Sequence, residues 1–414
     1  MSKLKNLGAN LALILGSLAF GVLIGEIGLR VAGIEGFQKI GDTVDSAPTD
    51  FHTSDPDRGW SLIPGKSGDW QGEGEKSHIQ INSDGLRDGE HSKGKPKNTL
   101  RIAMLGDSFT EAIHVPIGKT FWHKLGRKFE RCSALKGQKV EVINFGVQGY
   151  GTAQELLTLE KKVWAYAPDI VILAFFNGND VINNSRQLEY DRYRPFFVYQ
   201  NGKLVPDMSF RQLSPVDRNR NAVSFIDRLP GWLVNNSRIL QVVKKADLEL
   251  KKREINDEFT KLVAQNFKEP ENPTWKEAWQ VTEGLIELMR DEVAQKKAKF
   301  LVVSIGDPIQ VHPAPSSRQA FMQQNQITDL FYPEHRLQAL GAREGFEVLT
   351  LAQPFQDYAE KNKVCLHGFE NVALCQGHWN PEGHRLAATL IADKLCEDFS
   401  KVQTKQDESQ IPKR

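Results

Sequence analysis

Five short apolar runs, set between helical segments, constrain this 414-residue chain more than any other feature. They are LRIAMLG (100–106), VEVINFG (140–146), DIVILAFF (169–176), KFLVVSIG (299–306) and FEVLTL (346–351). Each run is continuously apolar rather than alternating, the pattern of strands buried on both faces of a sheet. Helical segments over about 120–132, 152–166, 274–297 and 333–343 separate them. Strand–helix alternation of this kind predicts an α/β fold with a parallel sheet and right-handed crossovers. Within 274–297, Trp275, Trp279, Ile286, Met289 and Val293 share one face and read as core.

The first thirty residues depart from this pattern. Lys3 and Lys5 precede a stretch without charge from Asn6 to Gly25, about long enough to cross a bilayer. The favoured reading of 1–30 is an uncleaved signal-anchor, because no small-x-small cleavage site follows. A cleaved signal peptide and a buried helix are the alternatives. The lysines place everything after Glu26 outside a bacterial cell membrane, crossed once. Residues 31–98 read as a juxtamembrane lead-in, with HIQIN as a short strand, and 99–400 as the main domain. An insertion of about 183–273 holds a predicted hairpin across Asn201-Gly202 and a charged helix capped by Asn236 or Ser237. It is a candidate helical and hairpin cap over the sheet's C-terminal edge, or else a structural or partner-binding elaboration. Residues 401–414 read as a disordered tail. The formal net charge of +1 points to no nucleic-acid partner. Of the four cysteines, Cys365 and Cys375 are the favoured bridge. The alternative is four free thiols, with Cys132 and Cys396 among them.

Four motifs carry chemistry. MLGDSFTEA puts Ser108 at a strand-to-helix turn, where a hydroxyl and a backbone N–H are both exposed. A simple cap by Asp107 or Ser108 is the alternative. NFGVQGYGTAQE crowds Gly146, Gly149 and Gly151, but lacks the spacing and the lysine of a phosphate loop. FFNGNDV can aim an amide at the same edge or make an ordinary turn. GHWNPEGHR holds His378 just outside a helix capped by Asn380, with His384 one turn inside it. The two histidines do not have metal-ligand spacing.

In this order, the four motifs resemble the blocks of the SGNH/GDSL hydrolases, in particular a membrane-anchored bacterial subgroup. The resemblance covers about 100–399 outside the insertion. It implies a flavodoxin-like three-layer α/β/α fold around a five-stranded parallel sheet. It also implies Ser108 as nucleophile, His378 as base, and an oxyanion hole from Ser108, Gly149 and Asn179. No metal or organic cofactor is implied. The expected activity is a serine esterase working through an acyl-enzyme on O-acyl esters of an extracytoplasmic glycan or lipid. An O-acyltransferase with the same residues and a non-catalytic envelope binding protein are the alternatives, and the sequence specifies no protein partner.

One place departs from the family. An aspartate is expected three residues before the histidine, and Cys375 stands there. Three readings follow: a Ser–His dyad with a backbone carbonyl orienting the ring, a carboxylate recruited from elsewhere, or a weak or dead site. Asp307, after the fourth strand in SIGDPIQVHP, is the candidate for the recruited carboxylate.

Overall fold

The computed structural model describes residues 2–33, 51–213 and 224–409. The apolar runs form β1 (Thr99–Gly106), β2 (Lys139–Asn144), β3 (Ile170–Phe176), β4 (Lys299–Ile305) and β5 (Glu347–Thr350). The helices of at least nine residues are α1 (Ser2–Val31), α2 (Phe121–Phe129), α3 (Thr152–Lys161), α4 (Arg238–Asn266), α5 (Pro273–Gln295), α6 (Pro315–Asn325), α7 (Tyr332–Glu344), α8 (Ala352–Asn362) and α9 (Pro381–Ser409). All strand pairs of the sheet are parallel, and its order is β2-β1-β3-β4-β5. This is the order of flavodoxin-like folds, with a topological switch point beside β1.

Two cores explain the continuous apolar runs. Val171, Leu173 and Phe175 of β3 pack with α3, α5 and α7, while Ile170, Ile172 and Ala174 pack with α2, α8 and α9. Each strand therefore needs apolar residues on both faces. Trp275, Trp279, Ile286, Met289 and Val293 of α5 are buried in the first core.

The chain forms two compact units, one of residues 50–213 with 261–414 and the other of 1–49 with 214–260. The lead-in from Phe51 onward belongs to the first. Two antiparallel pairs, His52–Asp55 with Gly59–Leu62 and Ser67–Trp70 with Ser77–Gln80, order it. Trp60, Leu62, Ile79 and Ile81 bury against Ile113, Val147 and Tyr150. Arg87 donates to the carbonyls of Glu111, Ala112 and Val115 at 2.6–2.7 Å. These three carbonyls belong to the segment that follows Ser108, so the lead-in is built into the site's foundation. Residues 34–50 of the sequence-defined lead-in lie outside the described residues.

The insertion divides between the units. Its hairpin, Phe196–Gln200 with Lys203–Asp207, turns at Asn201 and Gly202, with φ of 52° and 75°. Positive φ at both central residues is what a type I′ hairpin turn demands. The hairpin rests on α5, where a Cβ at Gly284 would stand 2.6 Å from the Tyr199 hydroxyl. It thus extends the helical layer. Residues 214–260 belong to the second unit, where α4 begins beside α1.

The structure bears on two further sequence expectations, at the C-terminus and at the cysteines. The chain does not turn irregular at 401: α9 continues to Ser409, supported by an i,i+4 pair between Glu397 and Lys401. Residues 410–414 lie outside the described ones. The favoured Cys365–Cys375 bridge is present, and Cys132 and Cys396 form a second disulfide rather than staying free. The second joins the end of α2 to α9 across 264 residues. Replacing Cys132 and Cys396 together by serine should lower unfolding stability by about 2–5 kcal/mol. A shift of the urea midpoint to lower concentration checks this, and an unchanged midpoint would contradict it.

Candidate active site

β1 ends at Gly106, whose φ of 158° leaves no room for a Cβ, since one would lie 2.2 Å from Thr110 Oγ1. The chain then turns at once into a short helical turn, Ser108–Glu111. Asp107 caps it, its Oδ1 accepting from the Phe109 N–H at 2.9 Å. Ser108 thereby stands at the C-terminal edge of β1. The strands on either side are β2 and β3, so the Gly149 and Asn179 loops flank it. Gly149 has φ of +73°. The peptide before it is fixed by Glu111, whose Oε2 accepts from the Gln148 N–H at 2.5 Å. Asn179 points its Nδ2 at Asp107 Oδ2, at 3.3 Å. That contact occupies one of its two amide hydrogens.

His378 closes the site from the strand Ala373–Trp379, which forms a hairpin with His367–Phe369 just before α9. Its Nε2 lies 2.8 Å from Ser108 Oγ. Its Nδ1 lies 2.7 Å from Glu73 Oε2, and its backbone N–H donates to Glu73 Oε1 at 2.8 Å. With Nδ1–H given to the carboxylate, Nε2 presents its lone pair to the serine hydroxyl. Burial alone would raise the Glu73 pKa, but the hydrogen bonds and positive charge of His378 outweigh it and hold it below the usual carboxylate range. A carboxylate from elsewhere in the chain therefore lies against His378. The dyad arrangement, with a carbonyl on the ring, is not what forms.

The carboxylate is Glu73 rather than Asp307. Asp307 Oδ1 accepts from the Ile309 N–H at 3.0 Å, a local turn bond, and desolvation pushes its carboxyl up to about 6. Sequence reasoning missed Glu73 because it lies 305 residues from His378, in a loop of the lead-in. The available signal was Gly72-Glu73-Gly74-Glu75, an acid between glycines at a hairpin tip. Gly74 of that tip and Gly377 beside His378 have a steric purpose. A Cβ at Gly74 would meet the His114 carbonyl at 2.2 Å, and one at Gly377 would meet Glu73 Oε1 at 2.2 Å. Asn371 ties the two loops, donating to the Gly72 carbonyl and accepting from Gly74 N–H. At Cys375, the place expected for the acid, φ is +61° and the sulfur bonds Cys365.

A second residue missed in the sequence is His114. Its ring stacks on His378 at 3.7 Å with 15° between planes, and Phe109 lies on His378 at 5.0 Å. The His378 imidazole is thus fixed by two other rings. Burial, with the nearby charge of His378, holds the His114 pKa well below its ordinary value, so it stays neutral. Ligand atoms of Glu73, His114 and His378 lie within 4.8 Å of one another. Parallel stacked rings direct their in-plane lone pairs side by side rather than at one point, and both His378 nitrogens are already engaged. The cluster therefore suits a clamped imidazole better than a metal. His384 is remote from this chemistry: it is buried, accepts from the Phe121 N–H at 3.3 Å, and desolvation lowers it to about 3.

The chain matches no protein-family model and no curated protein. Among solved structures it is similar to an acetyl xylan esterase, AlAXEase, at 12% identity over 71% of this chain and 99% of that one, with a TM-score of 0.36. A GDSL-like lipase from Bacteroides thetaiotaomicron gives 14% identity over 74% and 92%, with 0.32. A two-domain esterase active on acetylated mannans gives 11% over 73% of this chain and 50% of that one, with 0.35. Likeness at this level transfers no activity or substrate, and function rests on the site's own geometry.

Beside the site lies a set of buried acids. Desolvation pushes Asp107 up to about 6, and burial together with mutual repulsion raises Glu155 and Asp180 well above the carboxylate range. Both oxygens of Glu155 are buried without a hydrogen-bond partner among the described residues. A carboxyl so placed keeps its proton, because an unpaired buried charge is far more costly. The folded state then holds a proton that the unfolded chain releases, so stability is lost as pH rises past the ordinary carboxylate range. Glu155→Gln removes that slope. Its stability relative to wild type, read from urea denaturation, should rise between about pH 5 and about pH 8. A pH-independent difference would show that Glu155 is not held protonated.

Proposed function

We propose that this protein is a serine esterase whose reacting groups are Ser108, His378 and Glu73. The observation that carries this reading is the unbroken row from Glu73 Oε2 through His378 to Ser108 Oγ, with contacts of 2.7 and 2.8 Å. His378 Nε2 takes the Ser108 proton as Oγ attacks an acyl carbonyl. Glu73 holds the Nδ1–H and offsets the charge of the imidazolium. The N–H groups of Ser108 and Gly149 and the free amide hydrogen of Asn179 receive the oxyanion. Collapse of the tetrahedral intermediate expels the alcohol, which takes the proton from His378. Water, deprotonated by the same Nε2, then cleaves the acyl-enzyme and restores Ser108.

The substrate is an O-acyl ester on a glycan or lipid outside the cytoplasm. Two features support this placement. Leu13–Val31 of α1 has a mean hydropathy of 1.7, and its large apolar side chains from Leu13 to Ile27 are exposed, which suits a membrane anchor. All four cysteines are paired, as in chains that mature in an oxidising compartment.

The test uses the full chain in detergent with p-nitrophenyl acetate and a fluorophosphonate probe. Ser108→Ala and His378→Ala should abolish hydrolysis, and the probe should label Ser108 alone. Retained hydrolysis in Ser108→Ala would end the esterase reading. Glu73→Gln should lower kcat by about 10²- to 10⁴-fold while the fold is kept. Asp307→Asn should turn over at the wild-type rate. The reverse ranking of these two variants would return the orienting role to Asp307.

A further inference from the structure

The second compact unit contains an apolar surface that the esterase chemistry does not use. It lies just before α4, in a 3-10 turn (Phe225–Arg228) and a short helix (Gly231–Asn236). Phe225, Leu229, Trp232 and Leu233 are all exposed there, Trp232 to 69%. From Leu229 to Ser237 the sequence LPGWLVNNS carries no charge. An exposed tryptophan among uncharged apolar residues is costly in water and well placed at a lipid headgroup boundary.

The same unit fixes where this surface stands along α1. Glu26 of α1 caps α4: its Oε1 accepts from the Arg238 N–H at 2.6 Å, and its Oε2 accepts from the Ile239 N–H at 3.2 Å and the Ser237 hydroxyl at 3.1 Å. One turn later, Arg30 donates to the Asn236 carbonyl at 2.7 Å and to Glu26 at 2.9 Å. Gly25 leaves space for Ile239, whose Cδ1 would be 3.2 Å from a Cβ there. The segment ending at Ser237 is therefore held level with the Glu26–Arg30 turn. Glu26 lies about 8 Å before the helix end at Val31, at 1.5 Å per residue. Interfacial helices bury their apolar face to a similar depth, about 5–10 Å.

We propose that residues 225–236 form a second membrane contact, an interfacial foot lying in the headgroup region of a phospholipid bilayer with Trp232 as its anchor. This rests on the reading of α1 as a membrane anchor. The anchor sets the depth, and the Glu26 and Arg30 bonds transmit it to the foot. The foot's occupant is the bilayer itself, because the segment is bonded to the last turns of the anchor and its run from Leu229 to Asn236, which bears the exposed Trp232, carries no charge.

The experiment reconstitutes the full chain into phosphatidylcholine–phosphatidylglycerol vesicles containing lipids brominated near the headgroup. α1 has no tryptophan, and of the protein's eight, Trp232 alone is exposed, the others being buried or half-buried. Bromolipid quenching of tryptophan emission should be clear in the wild type and mostly lost in Trp232→Phe. Equal quenching in both, with the protein still floating with vesicles after alkaline carbonate, would overturn the foot and leave the anchor standing. Release of the protein by carbonate would overturn the anchor, and the foot with it.

Discussion

The bond between Glu73 and His378 is the interaction on which the rest of the site depends. A carboxylate with both oxygens on one residue fixes that residue's backbone and its ring together. It does so across 305 residues, joining the start of the folded lead-in to the strand before the last helix. Several otherwise unrelated features serve it. Gly74 and Gly377 clear the space, Asn371 ties the two loops, and His114 lies flat against the ring that Glu73 orients. The lead-in is thus part of the site, and its packing against the segment after Ser108 is what gives Glu73 a fixed origin.

Electrostatics around the site follow from which groups burial leaves charged. Glu73 remains ionised because His378 supplies donors to both of its oxygens. Glu155 has no such donor and Asp180 has only the Phe176 N–H on one oxygen, and burial holds both protonated. In the reaction proposed, negative charge develops between Gly149 and Asn179. Ionised acids behind that point would oppose it, whereas neutral ones do not. His114 obeys the same rule with opposite sign. A second imidazolium stacked on His378 would resist the proton that His378 must accept, and burial keeps that ring neutral.

Much of this was legible in the sequence because it is local. The five apolar runs became five parallel strands, since burial on both faces leaves a mark in each run by itself. Asn201-Gly202 gave the hairpin, since positive φ at two successive residues selects those side chains. Ser108, Gly149 and Asn179 each follow a strand end, so the topology alone brings them to neighbouring loops. What escaped was non-local. Ser237 does cap α4 in part, through its Oγ to the Leu240 N–H, yet the stronger donors there go to Glu26, more than two hundred residues away. Glu73 is the same case at the active site. A carboxylate that satisfies distant donors leaves no periodicity and no spacing in the chain.

The disulfide and the displaced acid are two sides of one arrangement. Cys375 stands where a carboxylate would be sought, but its left-handed backbone and its bond to Cys365 direct the side chain into the hairpin's own closure. Asn380 extends that closure, donating from its side chain to the Cys365 carbonyl at 2.8 Å and from its backbone to Leu366. The hairpin is therefore stapled on the flank of His378 where a carboxylate from residue 375 would have to pass. An orienting acid must reach Nδ1 from outside the hairpin, and the glycine-lined tip bearing Glu73 is the element built to do so. Rigidity of the histidine loop and origin of its acid are in this way coupled: the covalent closure that steadies His378 is also what hands its carboxylate to the other end of the chain.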